Sequence, residues 1–273
     1  MKTVVYTCAN LAYDQIYSPV VATPGVEYVL FSDRRPRFVS GWQWRPLPAQ
    51  AASLGPALAN RFCKFFPQRL FPEAGISIYL DANLLILGDL QPLINDFLAS
   101  GAAIGLFPHG ERSDIVSEFA FCKQVGKIGP ADSARGEAQL AAYAAEGLPP
   151  DHGLTENAII LRRHDAPGLD GAMDLWWQQL ATYTKRDQLS LPYVLWKSGL
   201  EAKVWDWSYW SENPYFHRYI HRRGPISDIQ IFLTNKRRAG LAWRVPIDGL
   251  LWLVHGVAKP GLARLRGLAG RSG

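Results

Sequence analysis

Cysteine is scarce in this 273-residue chain: Cys8, Cys63 and Cys122 stand far apart, with no CxxC pair. That excludes a disulfide framework and suits reduced thiols in a cytosolic compartment. No apolar run reaches the roughly 18 residues that a spanning helix needs. The opening MKTVVYTCAN enters a strand-like run at once, so no signal peptide is expected. Neither GxSxG nor HExxH occurs, which argues against the common hydrolase signatures. There is no internal repeat and no low-complexity segment. Acid is missing from one place in particular. From Lys236 onward eight Lys/Arg face only Asp248, so this tail carries +7 of a net +5 and the rest carries about −2. A body with that charge is not a nucleic-acid binder.

What is present is a core. Hydrophobic content of 48% with 19% charged residues is that of a globular protein, long enough for one large α/β domain or two small ones. Ten Trp and eleven Tyr could stack on sugars or nucleobases, but rings serve cores more often.

The central stretch is Ile76 to Leu90, ISIYLDANLLILGDL. Its apolar run reads as a buried strand that stops at Asp81-Ala82-Asn83. A strand ending in a carboxylate places it at the sheet's carboxyl edge, where open α/β sheets bind ligands. An acid and an amide spaced i, i+2 suit a hard cation holding phosphate oxygens; an Asx turn is the plain alternative. Lys2–Tyr6, Val26–Phe31, Gln43–Leu47, Ala102–Phe107 and Ala158–Leu161 read as further strands. Helices are predicted over Ala57–Leu70, broken near Pro67, over Pro92–Leu98, from a Ser113 cap to Gly126, over Gly129–Gly147, over Leu169–Tyr183, and from Lys185 to Lys197. Strands alternating with helices predict a mainly parallel α/β sheet flanked by helices.

ISIYLDANLLILGDLQPL resembles the metal-site strand of GT-A nucleotide-sugar glycosyltransferases, Rossmann-like nucleotide-diphospho-sugar transferases whose motif is Asp-x-Asp. It is nearer still to the plant mucilage-related and turgor-defect glycosyltransferase-like family, which has bacterial members. FPHGERSDIVSEFAFC, NAIILRRH and above all TKRDQLSLPYVL carry the same likeness, as do YTCANLAYDQIYSP and VEYVLFSD. The resemblance covers roughly residues 3–200.

It implies a GT-A-like domain over residues 1–235 that moves a hexosyl or pentosyl group from a nucleotide-sugar, a UDP-sugar by preference, to a glycan or lipid-linked saccharide. A Mn²⁺ or Mg²⁺ ion would sit on Asp81 and Asn83, with a late ligand from His217 or His221. Asn83 departs from the motif, because a neutral carbonyl replaces a carboxylate and weakens ion affinity. Arg61 and Lys64 would pair with the diphosphate, or form a solvated helix face. His109, Arg112 and Glu118 match the family's pattern, with His109 suited to sugar hydroxyls or proton transfer and Arg112–Glu118 alternatively a loop-shaping ion pair. Asp187 and Gln188 would lie beside the transferred sugar, as in retaining glycogenin-like enzymes, unless Asp187 only caps its helix. Asn157 resembles a donor-sugar contact, and Tyr13 and Asp33 would hold ribose and base. Two rival readings remain: a non-catalytic saccharide-binding relic, suggested by Asn83, and a ceramidase-like hydrolase, a role linked to the plant members. Residues 236–273 form a basic extension interleaved with Leu and Val. It would place a cytoplasmic enzyme of envelope polysaccharide synthesis on the anionic inner face of the membrane, or simply pack as a last helix.

Overall fold

A computed structural model describes residues 1–36 and 39–219. They fall into a large unit, Met1–Ala12 with Ile16–Arg218, and a second whose described residues are Tyr13–Gln15 and Tyr219.

The large unit is built on a seven-stranded sheet. Its strands are β1 (Thr3–Ala9), β2 (Val26–Ser32), β3 (Gln43–Pro46), β4 (Ile76–Leu80), β6 (Ile104–Pro108), β7 (Thr155–Arg163) and β8 (Ala202–Val204), in the order β3-β2-β1-β4-β7-β6-β8. Only β7 runs against the rest. The mainly parallel α/β sheet read from the sequence is therefore what forms. Every residue of β1 and β4 is buried, because strands covered on both faces need apolar side chains on both. β5 (Leu84–Ile86) leaves the sheet and pairs with β9 (Phe216–Arg218) in a small antiparallel ribbon.

Alternation along the strands divides the core in two. Val4, Tyr6 and Tyr79 point to one side, and Val5, Ile76 and Ile78 to the other. The first side is covered by α2 (Pro56–Phe65), α5 (Ile115–Gln124), α7 (Leu169–Thr182) and α8 (Asp187–Ser198). There Phe65 stacks on Trp176 with ring centroids 3.9 Å apart, which locks α2 against α7. The second side is covered by α4 (Gln91–Ala99) and by Trp205, stacked on Phe107 at 4.6 Å. These rings serve the core, as their general preference predicts.

The Ala57–Leu70 helix breaks at Phe66, beside the expected Pro67, into α2 and the single turn α3 (Pro67–Leu70), each opened by a proline. Two boundaries differ from the sequence reading. The cap of α5 is Asp114, not Ser113, since its carboxylate accepts the Ser117 N–H. β7 begins at Thr155, so Glu156 and Asn157 lie inside the strand. The remaining helices, α1 (Ala49–Ala52) and α6 (Pro130–Ala145), lie outside the site.

Candidate active site

The reversed strand assembles the site. β4 ends one residue before Asp81 and β6 one residue before His109, both at the carboxyl edge of the parallel strands. β7 starts at that same edge, with Phe107 opposite Glu156 and Pro108 opposite Thr155. Two backbone bonds pin the join: Asp81 N–H donates to Ala158 O at 2.8 Å, and His109 N–H to Leu154 O at 3.0 Å. Residues far apart in the chain thus reach one edge, where ligands of such sheets bind.

One cluster surrounds Asp187, the first residue of α8. Lys64 Nζ lies 2.7 Å from Asp187 Oδ2 and 3.5 Å from Asp81 Oδ1, so its ammonium bridges the two carboxylates. Arg61, one turn earlier on α2, places Nη2 3.2 Å from Asp187 Oδ1. Burial alone would push the Asp187 carboxyl up, but Arg61, Lys64 and Arg186 outweigh it and hold the group well below the usual carboxylate range. The capping alternative fails: Arg186 occupies the cap position of α8, no side chain caps the helix, and the Asp187 carboxylate turns inward to the cations. Nor are Arg61 and Lys64 a solvated face, for the Lys64 side chain is 2% exposed. Asp81 Oδ1 also accepts from Tyr79 Oη at 2.9 Å. Burial, and next the Asp81 charge, push the Tyr79 phenol well up, so it stays a donor.

A second cluster surrounds His109. The N–H groups of Glu111 and Arg112 donate to its Nδ1 at 3.1 and 3.0 Å. Arg112 Nη2, which can only donate, lies 3.1 Å from Nε2, so N–H groups face both ring nitrogens and disfavour the doubly protonated ring relative to the neutral ring. Nε2 faces Glu156 Oε1 at 3.2 Å, and burial together with Arg112 lowers the His109 pKa and favours that neutral ring. Arg112 Nε donates to Glu118 Oε2 at 2.6 Å, and Glu118 is buried. The loop-shaping ion pair is therefore present, and it also walls the imidazole. Gln188, the second residue of α8, donates from Nε2 to Glu156 Oε2 at 3.1 Å, and Tyr209 Oη donates to the same oxygen at 3.3 Å. The first two residues of α8 thus engage one cluster each.

Glu156 is the residue the sequence reading missed. Burial pushes its pKa up to about 7, partly offset by Arg218 and by Tyr209's hydrogen bond. The signal was the acid beside Asn157; what hid its role was placing the strand start at Ala158. Asn157 itself is buried, and its Nδ2 has no partner among the described residues. Asp33 is exposed and accepts the Leu11 N–H at 2.9 Å, tying the loop after β1. Tyr13 is exposed and belongs to the second unit.

The described donors do not fit a divalent cation at the end of β4. Asp81 Oδ1 is engaged by Tyr79 and faces an ammonium, and Asn83 adds only a buried neutral amide. β9 brings His217 opposite Leu85, two residues beyond Asn83. Among the described residues no three His, Cys, Asp or Glu side chains converge as ligands; His221 and the basic tail 236–273 lie outside them. No helix among the described residues is long and apolar enough to cross a membrane. A cavity of ≈680 Å³ opens beside the second cluster, bordered by His109, Arg112 and Thr155 on one wall and Leu195, Trp196 and Leu200 on another.

Sheet, edge and clustered acids and cations together describe an α/β domain with a charged ligand site at its carboxyl edge. Residues 50–211 match the model of the TOD1/MUCI70, glycosyltransferase-like domain, and the chain belongs to that family. It is 29% identical over 140 residues to the probable hexosyltransferase MUCI70 of Arabidopsis thaliana, a stretch that takes in 48% of this chain. That stretch spans only 23% of the plant protein's length. Among solved structures, it is similar to mouse xyloside xylosyltransferase 1 in its apo form, with TM-score 0.43, 14% identity, and 75% and 84% of the two chains covered. The apo WbbM bifunctional glycosyltransferase gives TM-score 0.44 and 13% identity over 74% of this chain and 38% of that one.

Proposed function

We propose that this protein transfers a sugar, a hexose or pentose, from a nucleotide-sugar donor to a saccharide acceptor, with a UDP-sugar as the first donor to test. The observation that carries the reading is the cation-rich cluster at the carboxyl edge: Arg61, Lys64 and Arg186 around Asp187, in a family of glycosyltransferase-like domains. A departing nucleoside diphosphate gains negative charge as the glycosidic bond breaks, and preorganised cations stabilise that charge most when they need not reorganise. Arg61 and Arg186 are the partly exposed members and meet the phosphates. Asn157, whose buried Nδ2 lacks an acceptor among the described residues, offers a donor to a sugar hydroxyl. Glu156 holds or releases a proton near neutral pH, the property a group needs to take a proton from an acceptor hydroxyl. His109 Nε2 lies 3.2 Å from Glu156 Oε1, close enough to hydrogen-bond that carboxyl. The ≈680 Å³ cavity beside His109 provides room for the acceptor, with Trp196 on its wall as a surface for a sugar ring. A glycan or lipid-linked saccharide of the cell envelope is the proposed acceptor class, reached from the cytoplasmic face of the membrane through the basic tail.

A screen of UDP- and GDP-sugars for release of nucleoside diphosphate by purified protein tests this reading. Turnover of at least one donor, lost in Asp187→Asn, is expected. Absence of both binding and hydrolysis for every donor would overturn it and leave a saccharide-binding relic as the better description.

A further inference from the structure

We propose that the Lys64 ammonium takes the place of a divalent cation at the end of β4, so that this chain binds its nucleotide without metal. The inference rests on the nucleotide-sugar reading above and specifies how that same site neutralises the diphosphate.

Lys64 reaches the spot from the last turn of α2 and touches a carboxylate from each of two elements, Asp81 after β4 and Asp187 at the start of α8. Linking two such carboxylates is the job a divalent ion would do, and here a side chain does it from inside the protein. The donor count agrees. Where two carboxylates would make a strong oxygen site, this chain has one carboxylate and the neutral Asn83, and one oxygen of that carboxylate already accepts from Tyr79. Hard cations draw affinity from the number of charged oxygen ligands. An ion entering beside Asp81 would also meet the ammonium 3.5 Å from Oδ1.

The charge balance is complete without metal. Asp81 and Asp187 are matched one for one by Lys64 and Arg61, while Arg186, which also acts on Asp187, has its ion pair with Glu118 Oε1 at 3.9 Å. Arg61 is held in place: its Nη1 donates to Asn60 Oδ1 at 2.8 Å and its Nη2 lies 3.2 Å from Asp187 Oδ1. Fixed through two of its nitrogens, the partly exposed guanidinium keeps one orientation, and phosphate oxygens suit its planar geometry.

Two titrations test the assignment on the full chain. Mn²⁺ alone is followed by the loss of its free-ion electron paramagnetic resonance signal, and UDP and GDP binding is measured by calorimetry in EDTA and in Mn²⁺. Wild type is expected to leave Mn²⁺ free and to bind one nucleotide with affinities that agree within about twofold in the two buffers. Arg61→Ala should weaken that binding about tenfold or more in EDTA, about 1.4 kcal/mol. Lys64→Gln, checked for folding by circular dichroism, should gain Mn²⁺ binding, because the two carboxylates lose their bridge. Stoichiometric Mn²⁺ binding to wild type that disappears in Asp81→Asn would overturn the assignment, as would nucleotide affinity raised about tenfold by Mn²⁺; both leave the donor reading standing. No nucleotide binding in either buffer would instead defeat the donor reading, with the Mn²⁺ titration still deciding the role of Lys64. The wild-type measurements need no variant, so they hold even if Lys64→Gln does not fold.

Discussion

Replacing Glu156 with Gln removes a buried carboxyl whose ionisation works against the fold. In the unfolded chain this group ionises near 4.5, whereas burial keeps it protonated in the folded protein up to about 7. Between those values the folded state holds one more proton than the unfolded state, so stability falls as pH rises. Each pH unit across the interval is worth about 1.4 kcal/mol, and the wild type should lose about 3 kcal/mol relative to Glu156→Gln between pH 4.5 and about 7. Above that the difference should flatten. His109 gives a slope of the opposite sign. Its folded value is depressed, so it contributes stability above its ordinary 6.5 that is lost as pH falls below it. Because His109 is present in both proteins, its contribution largely cancels in the difference, apart from its coupling to Glu156 at 3.2 Å. Urea unfolding free energies of the two proteins, measured in parallel at half-unit steps, supply the curve. A difference flat to within about 0.5 kcal/mol, or one rising with pH, would refute a buried, proton-holding Glu156.

Two further substitutions probe the scaffold of the site, and a third probes the packing of α6 against α5. Asp187→Asn leaves buried Lys64 short of its charge partner and should cost about 3–5 kcal/mol. Because the Asp187 carboxyl is held low, its stabilisation is present above about 3.8 and is lost on acidification; that acid limb should vanish from the variant's pH–stability curve. Trp176→Phe keeps a ring beside Phe65 but removes the indole N–H that donates to Asp187 O at 3.2 Å and Ser190 Oγ at 3.1 Å. A loss of about 1–3 kcal/mol is expected in thermal unfolding, with lower transfer rates as the start of α8 loosens. Gly136→Ala in α6 would drive a methyl into the Phe119 ring, and overpacking of that kind should cost about 1–3 kcal/mol in the same assay.

Much of the frame was legible from side-chain pattern alone. The strand IleSerIleTyrLeu before Asp81, the break of the α2 region at a proline, and the alternation of strands and helices follow from burial on both sheet faces and from backbone limits that act locally. The family, too, was readable from short segments in order. The boundaries that slipped were those where two neighbours could play one part, Ser113 or Asp114 as a cap, Ala158 or Thr155 as a strand start. There the choice depends on hydrogen bonds that periodicity does not carry.

The site divides in the same way. By itself the sequence determined that an acid ends a buried strand at Asp81, that Arg61 and Lys64 share a helix face, and that Asp187 and Gln188 open another helix. Whether these meet was a matter for tertiary structure. The reversal of β7 decided it for Glu156, because a strand running the other way would have carried that carboxyl to the opposite edge of the sheet. Burial decided it for Lys64: its side chain is enclosed, its ammonium is balanced by Asp81 and Asp187, and one-dimensional spacing gives no sign that residues 64, 81 and 187 share a single point of charge.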